Sequence, residues 1–271
     1  MQIGVLVTIP DGGDMSIRGQ MPPPEKDLQM TNRPMSLLCR RVRAKGFVPA
    51  HVAEVGVWHP HTSNIYSYIV AGVRTTLVEP DPESIAMIKS EFGKRGNVTL
   101  HEVAVCEFHG HVELCKRDAS TFVSLLTSAP AVANDGCDIQ QTERFTAEAR
   151  LFNDIDDGTI DLLSVDTEGS EWFVVQNLVS RPAVISLETH GGVYVNPYLD
   201  ELTSWLSANG YVLWYKDKSD SVYVRRDAIA LTLSDKLRLI VSNVGLSLRS
   251  LKKRLGKRLK NRQSAGRRET P

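Results

Sequence analysis

The chain has 271 residues, 42% hydrophobic and 24% charged, with a formal net charge of zero. That balance fits one large or two small globular domains, and no apolar run approaches the about 18 residues that a membrane-spanning helix needs. The neutral total hides two parts of opposite sign: residues 229–271 hold 12 Lys+Arg against 2 Asp+Glu, a net of +10, so the rest carries −10.

Residues 1–34 read as an irregular leader. An apolar start with no basic run before it gives way to PDGGD and MPPPE, without hydrophobic period, and no secretory signal is expected. Residues 35–228 read as the body. Leu37, Leu38 and Val42 predict a helix over Met35–Lys45, stopped by Gly46. Strands and helices then alternate: strand 51–57, helix 62–71, strand 74–79, helix 83–93, strand 97–103. This alternation predicts βαβ units around a mainly parallel sheet with right-handed crossovers. Residues 103–114 suggest a hairpin turning at His109-Gly110, 118–140 a covering loop, and 144–152 another strand. Strand 160–166, helix 170–178, strand 183–188 and helix 198–208 follow, and an antiparallel pair at 211–216 and 221–226 closes the body. Cys39, Cys106, Cys115 and Cys137 form no C-x-x-C pair and read as reduced thiols. The alternative is one disulfide joining Cys106 to Cys115 across the hairpin.

Two places carry candidate chemistry. The first strand ends in Glu54-Val55-Gly56-Val57, before a segment containing Ser63. Glycine at a strand-to-helix turn permits close backbone approach to a nucleotide-type ligand. The second strand ends in Glu79-Pro80-Asp81, and an acid there, 25 residues after Glu54, suits a ribose diol. The pattern G-x-G-x-x-G is missing, because Trp58 and Pro60 stand where further glycines would be. A pyrophosphate needs those glycines, so NAD and FAD are disfavoured. A ribose without pyrophosphate points to S-adenosylmethionine. The second place is IDLLSVDTEGSEW, residues 160–172, a buried strand delivering Asp166, Glu168 and Glu171 at its C-terminal end. The structural alternative is that Thr167 or Ser170 caps the next helix and the acids favour its dipole.

The blocks VAEVGVWHPHTS, TTLVEPDPESI, NVTLHEVAV, IDLLSVDTEGSEWFVVQNL and VISLETH, in this order, resemble the FkbM-type family of S-adenosylmethionine-dependent methyltransferases over about residues 35–225. The resemblance implies the class I (Rossmann-like) fold: a seven-stranded, mainly parallel sheet with helices on both faces and an antiparallel C-terminal hairpin. It implies methyl transfer to a hydroxyl of a sugar, polysaccharide or glycolipid precursor. Carried onto this chain, Glu54, Gly56 and Val57 would line the methionine end of the cofactor. Glu79, with Pro80 and Asp81, would hold its ribose, and Glu102, Val103 and Ala104 would flank the adenine. The family's first loop reads Asp-x-Gly-Ala-Asn-x-Gly, whereas here Glu54, Val57, Trp58 and Pro60 replace four of those residues. The alternatives are a methyltransferase for a soluble small molecule, such as a polyketide or amino sugar, and a non-catalytic binding protein of the same fold.

A sugar hydroxyl is a poor nucleophile, so a base is expected within about 3 Å of it. His190, Asp166 and Glu188 stand at the ends of two neighbouring predicted strands. They form the candidate catalytic set, with His190 as base and an acid orienting it. The alternative role of His190 is to hydrogen-bond a turn. Asp166, Glu168, Glu188 and His190 also have the donor types for Mg²⁺ or Mn²⁺, but no metal is assigned. Trp172 and Tyr194 read as core residues, or as a platform for a sugar ring.

Residues 229–271 read as a basic amphipathic helical tail. Leu248, Leu251, Leu255 and Leu259 make one stripe among seven cations. Such a helix, over residues 245–262, suits an anionic membrane surface. No nucleic acid is expected, because a leucine stripe has no use on a phosphate backbone. The expected location is cytoplasmic, at the inner membrane face.

Overall fold

A computed structural model describes residues 33–117, 120–123, 143–191, 194–217 and 219–241. In chain order the strands are β1 (His51–Val55), β2 (Arg74–Val78), β3 (Val98–His101), β4 (Ala104–Val105), β5 (Gly110–Arg117), β6 (Ser120–Val123) and β7 (Glu143–Arg150), then β8 (Leu162–Val165), β9 (Val184–Glu188), β10 (His190–Gly191), β11 (Tyr194–Val195), β12 (Tyr211–Lys216) and β13 (Asp220–Arg225). The helices are α1 (Leu37–Ala44), α2 (Tyr66–Val70), α3 (Pro82–Phe92), α4 (Glu171–Val175), α5 (Leu199–Ala208) and α6, over 233–241.

Seven strands form the main sheet in the order β12-β13-β9-β8-β1-β2-β3, with β13 antiparallel to its neighbours and the inner strands parallel. This is the class I methyltransferase arrangement. Both faces are covered, which is why the inner strands are buried at nearly every position. Val52, Leu77, Leu162 and Val184 join one core with α1, α2 and α3. Ala53, Val55, Val78, Leu163, Val165 and Ile185 face the other, with α4 and α5. The two-residue alternation of a strand thus sorts each apolar run between two cores, and each fully buried Leu or Ile adds about 1.5–3 kcal/mol.

The helices start where local chemistry favours it. Ser36 accepts the Cys39 N–H at 3.1 Å to cap α1, and Asp81 caps α3 ahead of Pro82. The helix predicted over 62–71 is shorter: Pro60–Thr62 form a 3₁₀ turn and α2 begins at Tyr66. The hairpin predicted over 103–114 is corrected. β4 and β5 do not pair with each other, because β7 lies between them in a second sheet ordered β4-β7-β5-β6. Cys106 and Cys115 are buried free thiols, not a disulfide. Lys116 on β5 ion-pairs with Asp81 at 3.0 Å and Glu83 at 2.6 Å, tying this second sheet to the start of α3. Most of the predicted loop 118–140 and the tail stripe at 245–262 lie outside the described residues.

The chain runs from β1 outward through β2 to β3, then returns to β8 on the other side of β1. The reversal between β1 and β8 opens a crevice beyond the C-terminal ends of the strands, the usual ligand position in such sheets.

Candidate functional site

A cleft of about 530 Å³ fills that crevice, within the size range of small-molecule sites. Of the candidate site residues drawn from the sequence, Glu54, Gly56, Val57, Glu79, Pro80, Val103, Ala104, Asp166 and Glu168 line it.

Gly56 has φ +79, and a Cβ there would lie 1.8 Å from the Asp166 carbonyl oxygen. The close approach it permits is therefore to β8, besides any ligand. Glu79 is 3% exposed and accepts the backbone N–H groups of Val57 at 2.9 Å, Trp58 at 2.8 Å and Asp81 at 2.9 Å. These bonds occupy three of the roughly four acceptor positions of a carboxylate. Glu79 thus shapes the first loop while it faces the cleft. Burial raises its pKa, and the three N–H groups oppose the rise. Trp58, where the resembled pattern has Asn, adopts a left-handed φ of +50, and the Glu79 bond to its N–H holds it there. Its indole lies on the cleft, 40% exposed. Glu54, fully buried, accepts the Asn64 N–H at 2.8 Å and the Ser63 hydroxyl; burial pushes its carboxyl up to about 7.

The opposite wall is built by the loop after β8. Asp166 is open to the cleft but walled by protein, and its carboxylate, those of Glu168 and Glu188 included, lies in a trio within 4.8 Å of one another. Burial and then the neighbouring acids hold Glu188 up at about 11 and raise Asp166 well above the ordinary range; the two side chains are hydrogen-bonded. Burial and mutual repulsion therefore favour holding a proton on this pair of carboxyls. Glu168 and Gly169 both take positive φ, +54 and +108. Fully buried Glu171 stabilises this turn by accepting the N–H groups of Thr167 at 2.9 Å and Gly169 at 3.2 Å, while Asn196 donates to its other oxygen. At the third side stands the β12–β13 turn, with Asp217, Ser219 and Asp220 on the cleft; burial and Asp217 raise Asp220 to about 6.

The remaining candidates lie off the lining. Ser63 touches the cleft through Glu54 alone. Asp81 caps α3 and pairs with Lys116. Glu102 forms an ion pair with Lys89 at 2.6 Å. Glu188 stands behind Asp166. The His190 ring contacts Thr189 Oγ at 3.0 Å and the Asp217 carbonyl at 3.3 Å, and burial lowers its pKa. Trp172 packs against the core and Tyr194 is 2% exposed; neither lines the cleft. Reading the sequence missed Trp58, which is the aromatic residue on the cleft, and Asp217 and Asp220. The altered first loop pointed to Trp58; nothing local pointed to the β12–β13 turn.

Among the described residues the lining holds six acids (Glu54, Glu79, Asp166, Glu168, Asp217 and Asp220) and no Lys or Arg. Such a cleft suits a ligand carrying positive charge and repels one carrying phosphates. Val103, Ala104, Val105 and Leu114 supply an apolar stretch fit for a flat base. A nucleoside with a cationic sulfonium and amine, and no pyrophosphate, matches both features.

A family model for the methyltransferase FkbM domain matches residues 50–213. No curated protein matches the chain. Similar solved structures include a SAM-dependent methyltransferase from Aquifex aeolicus, 11% identical, covering 70% of this chain and 89% of that one, with a TM-score of 0.38. Others are a ribosomal protein L11 methylase from Lactobacillus delbrueckii subsp. bulgaricus (12% identity, 69% and 76%, TM-score 0.37) and a precorrin-6y C5,15-methyltransferase from Geobacter metallireducens GS-15 (16%, 69% and 84%, 0.33). Likenesses this distant say nothing about activity, and the fold rests on strand order and register. With the family match spanning more than half of its length, the chain belongs to the FkbM methyltransferase family, and its cofactor is S-adenosylmethionine.

Proposed function

We propose that this methyltransferase acts on oxygen, at a hydroxyl of a sugar, polysaccharide or glycolipid precursor. The observation that carries the reading is the carboxylate trio of Asp166, Glu168 and Glu188 at the cleft wall. A hydroxyl acceptor must lose its proton as the new O–C bond forms, and a carboxylate with a raised pKa is a stronger base for that proton. Asp166 lines the cleft, as Glu168 does, and carries a raised pKa through burial and its neighbours, so it takes the base role. Glu188 hydrogen-bonds Asp166 and fixes its orientation. Glu168 and Asp220 can accept hydrogen bonds from further hydroxyls of a polyol, while the six acids among the described lining residues disfavour an anionic acceptor. Bound S-adenosylmethionine supplies an activated methyl group on sulfur. Asp166 would take the hydroxyl proton as the acceptor oxygen receives that methyl group.

The test uses cofactor with an isotope-labelled methyl group, a panel of neutral glycans and polyols, and mass spectrometry to locate the label. Label on a sugar oxygen is expected, with Asp166→Asn lowering kcat about 100-fold or more while cofactor affinity holds. Label on nitrogen or carbon, or full turnover by Asp166→Asn, would sink the reading.

A further inference from the structure

Helix α6 turns an apolar face to water. Leu233, Leu237, Ile240 and Val241 are 79%, 63%, 59% and 72% exposed. Their spacing, i, i+4, i+7 and i+8, places them on one side of the helix. Soluble surfaces seldom gather large aliphatic side chains in this way without a partner. The helix is firmly attached at its start. Thr232 and Asp235 cap each other reciprocally, Asp235 pairs with Lys45 at 2.5 Å, and it accepts the Trp214 indole N–H at 3.2 Å.

That attachment sets α6 beside α1, where Arg33 and Arg40 are exposed and residues 33–48 hold no acid. On α6 itself Lys236 and Arg238 are exposed. Residues 242–271 add ten Lys+Arg and one acid. Among the described residues no helix is long and apolar enough to cross a membrane. The partner must therefore be apolar at one depth and anionic around it.

We propose that α6 forms a docking surface for an anionic lipid bilayer. The aliphatic face of α6 enters the headgroup boundary, and the flanking Arg and Lys residues meet the lipid phosphates. A second copy of this chain is a poorer occupant, because it brings two cationic faces together. Residues 242–271 folded back on α6 would press their cations against those of α1. The inference holds whatever the methyl acceptor is.

Flotation of the 271-residue chain with phosphatidylcholine vesicles, with and without about 30% phosphatidylglycerol, tests it. Binding to the anionic vesicles alone is expected, released in about 0.5 M NaCl. The double variant Leu237→Glu, Ile240→Glu lies at exposed positions, so it should keep its melting temperature and cofactor affinity while partitioning falls about tenfold or more. No binding by the parent chain, equal binding to neutral vesicles, or unchanged binding by the variant overturns the proposal. A variant that melts earlier and binds vesicles as before would mean that the chain itself covers this face, and the proposal fails.

Discussion

Gly56→Ala probes whether one backbone contact holds the two walls of the cleft together. A Cβ at position 56 would meet the Asp166 carbonyl oxygen at 1.8 Å, although real Cβ contacts stay beyond 3.0 Å, so the strand ends must part by more than an ångström. Both ends are fixed: the Gly56 N–H donates to Val78 O at 3.0 Å and the Asp166 N–H to Val55 O at 2.9 Å. A left-handed Ala alone costs about 1–2 kcal/mol, and weakening one or two strand-end bonds adds about 1–3 kcal/mol. The total is about 2–5 kcal/mol, or about 4–20 °C of melting temperature in a domain of this size. Gly46→Ala is the control, since Gly46 has φ +72 but nothing within 4 Å of its added Cβ. That variant should carry only the backbone cost of about 1–2 kcal/mol. Thermal unfolding of the two side by side isolates the clash. If Gly56→Ala melts within about 2 °C of Gly46→Ala, the contact is not the constraint described here.

Two further outcomes follow from the buried acids. Glu188 has its folded pKa raised from 4.5 to about 11, so between those values the folded chain binds more protons than the unfolded chain. Stability therefore falls as pH rises through that window, by at most about 1.4 kcal/mol per pH unit for each proton. Glu188→Gln should flatten the decline in melting temperature between pH 5 and 9 and raise stability at the alkaline end; an unchanged slope would show that Glu188 is ionised in the folded chain. Glu79→Gln keeps the size but offers one acceptor oxygen in place of two, leaving at least one of the Val57, Trp58 and Asp81 N–H groups facing an amide donor. Affinity for S-adenosylmethionine by calorimetry should fall about tenfold or more, and an unchanged affinity would mean that Glu79 does not shape the loop.

The main sheet was legible because its inner strands are doubly covered, so Val52–Val55, Leu162–Val165 and Val184–Leu187 read as mostly apolar runs between helices, each interrupted by one polar residue (Glu54, Ser164 and Ser186). The spacing of Leu37, Leu38 and Val42 also placed α1, although its Ser36 cap and the Asp81 cap of α3 emerged only from the structure. The second sheet was not legible, since β7 reaches β4 and β5 across about 30 residues or more of chain, and pairing at that range leaves no local period. At the site, the acids after β8 announced themselves as carboxylates at the end of a buried strand. Their division of labour did not: Glu171 is a brace for the turn, whereas Asp166 faces the cleft, and only the turn geometry separates them. Glu79 was read as a ribose ligand from its position, but the backbone groups that it also binds come from the irregular loop of Trp58, whose path no period predicts. Asp217 and Asp220 reach the cleft through the antiparallel return of β13, a matter of topology and not of motif.

The Gly56–Asp166 contact also bears on how this scaffold can be altered. A chimera that takes its first loop from one relative and its acidic loop from another would splice the molecule across a gap too narrow for any side chain. Engineers seeking new acceptors would do better to vary Trp58 and the Asp217–Asp220 turn, which border the cleft without sharing that gap, and to transplant residues 54–57 and 162–171 as one piece.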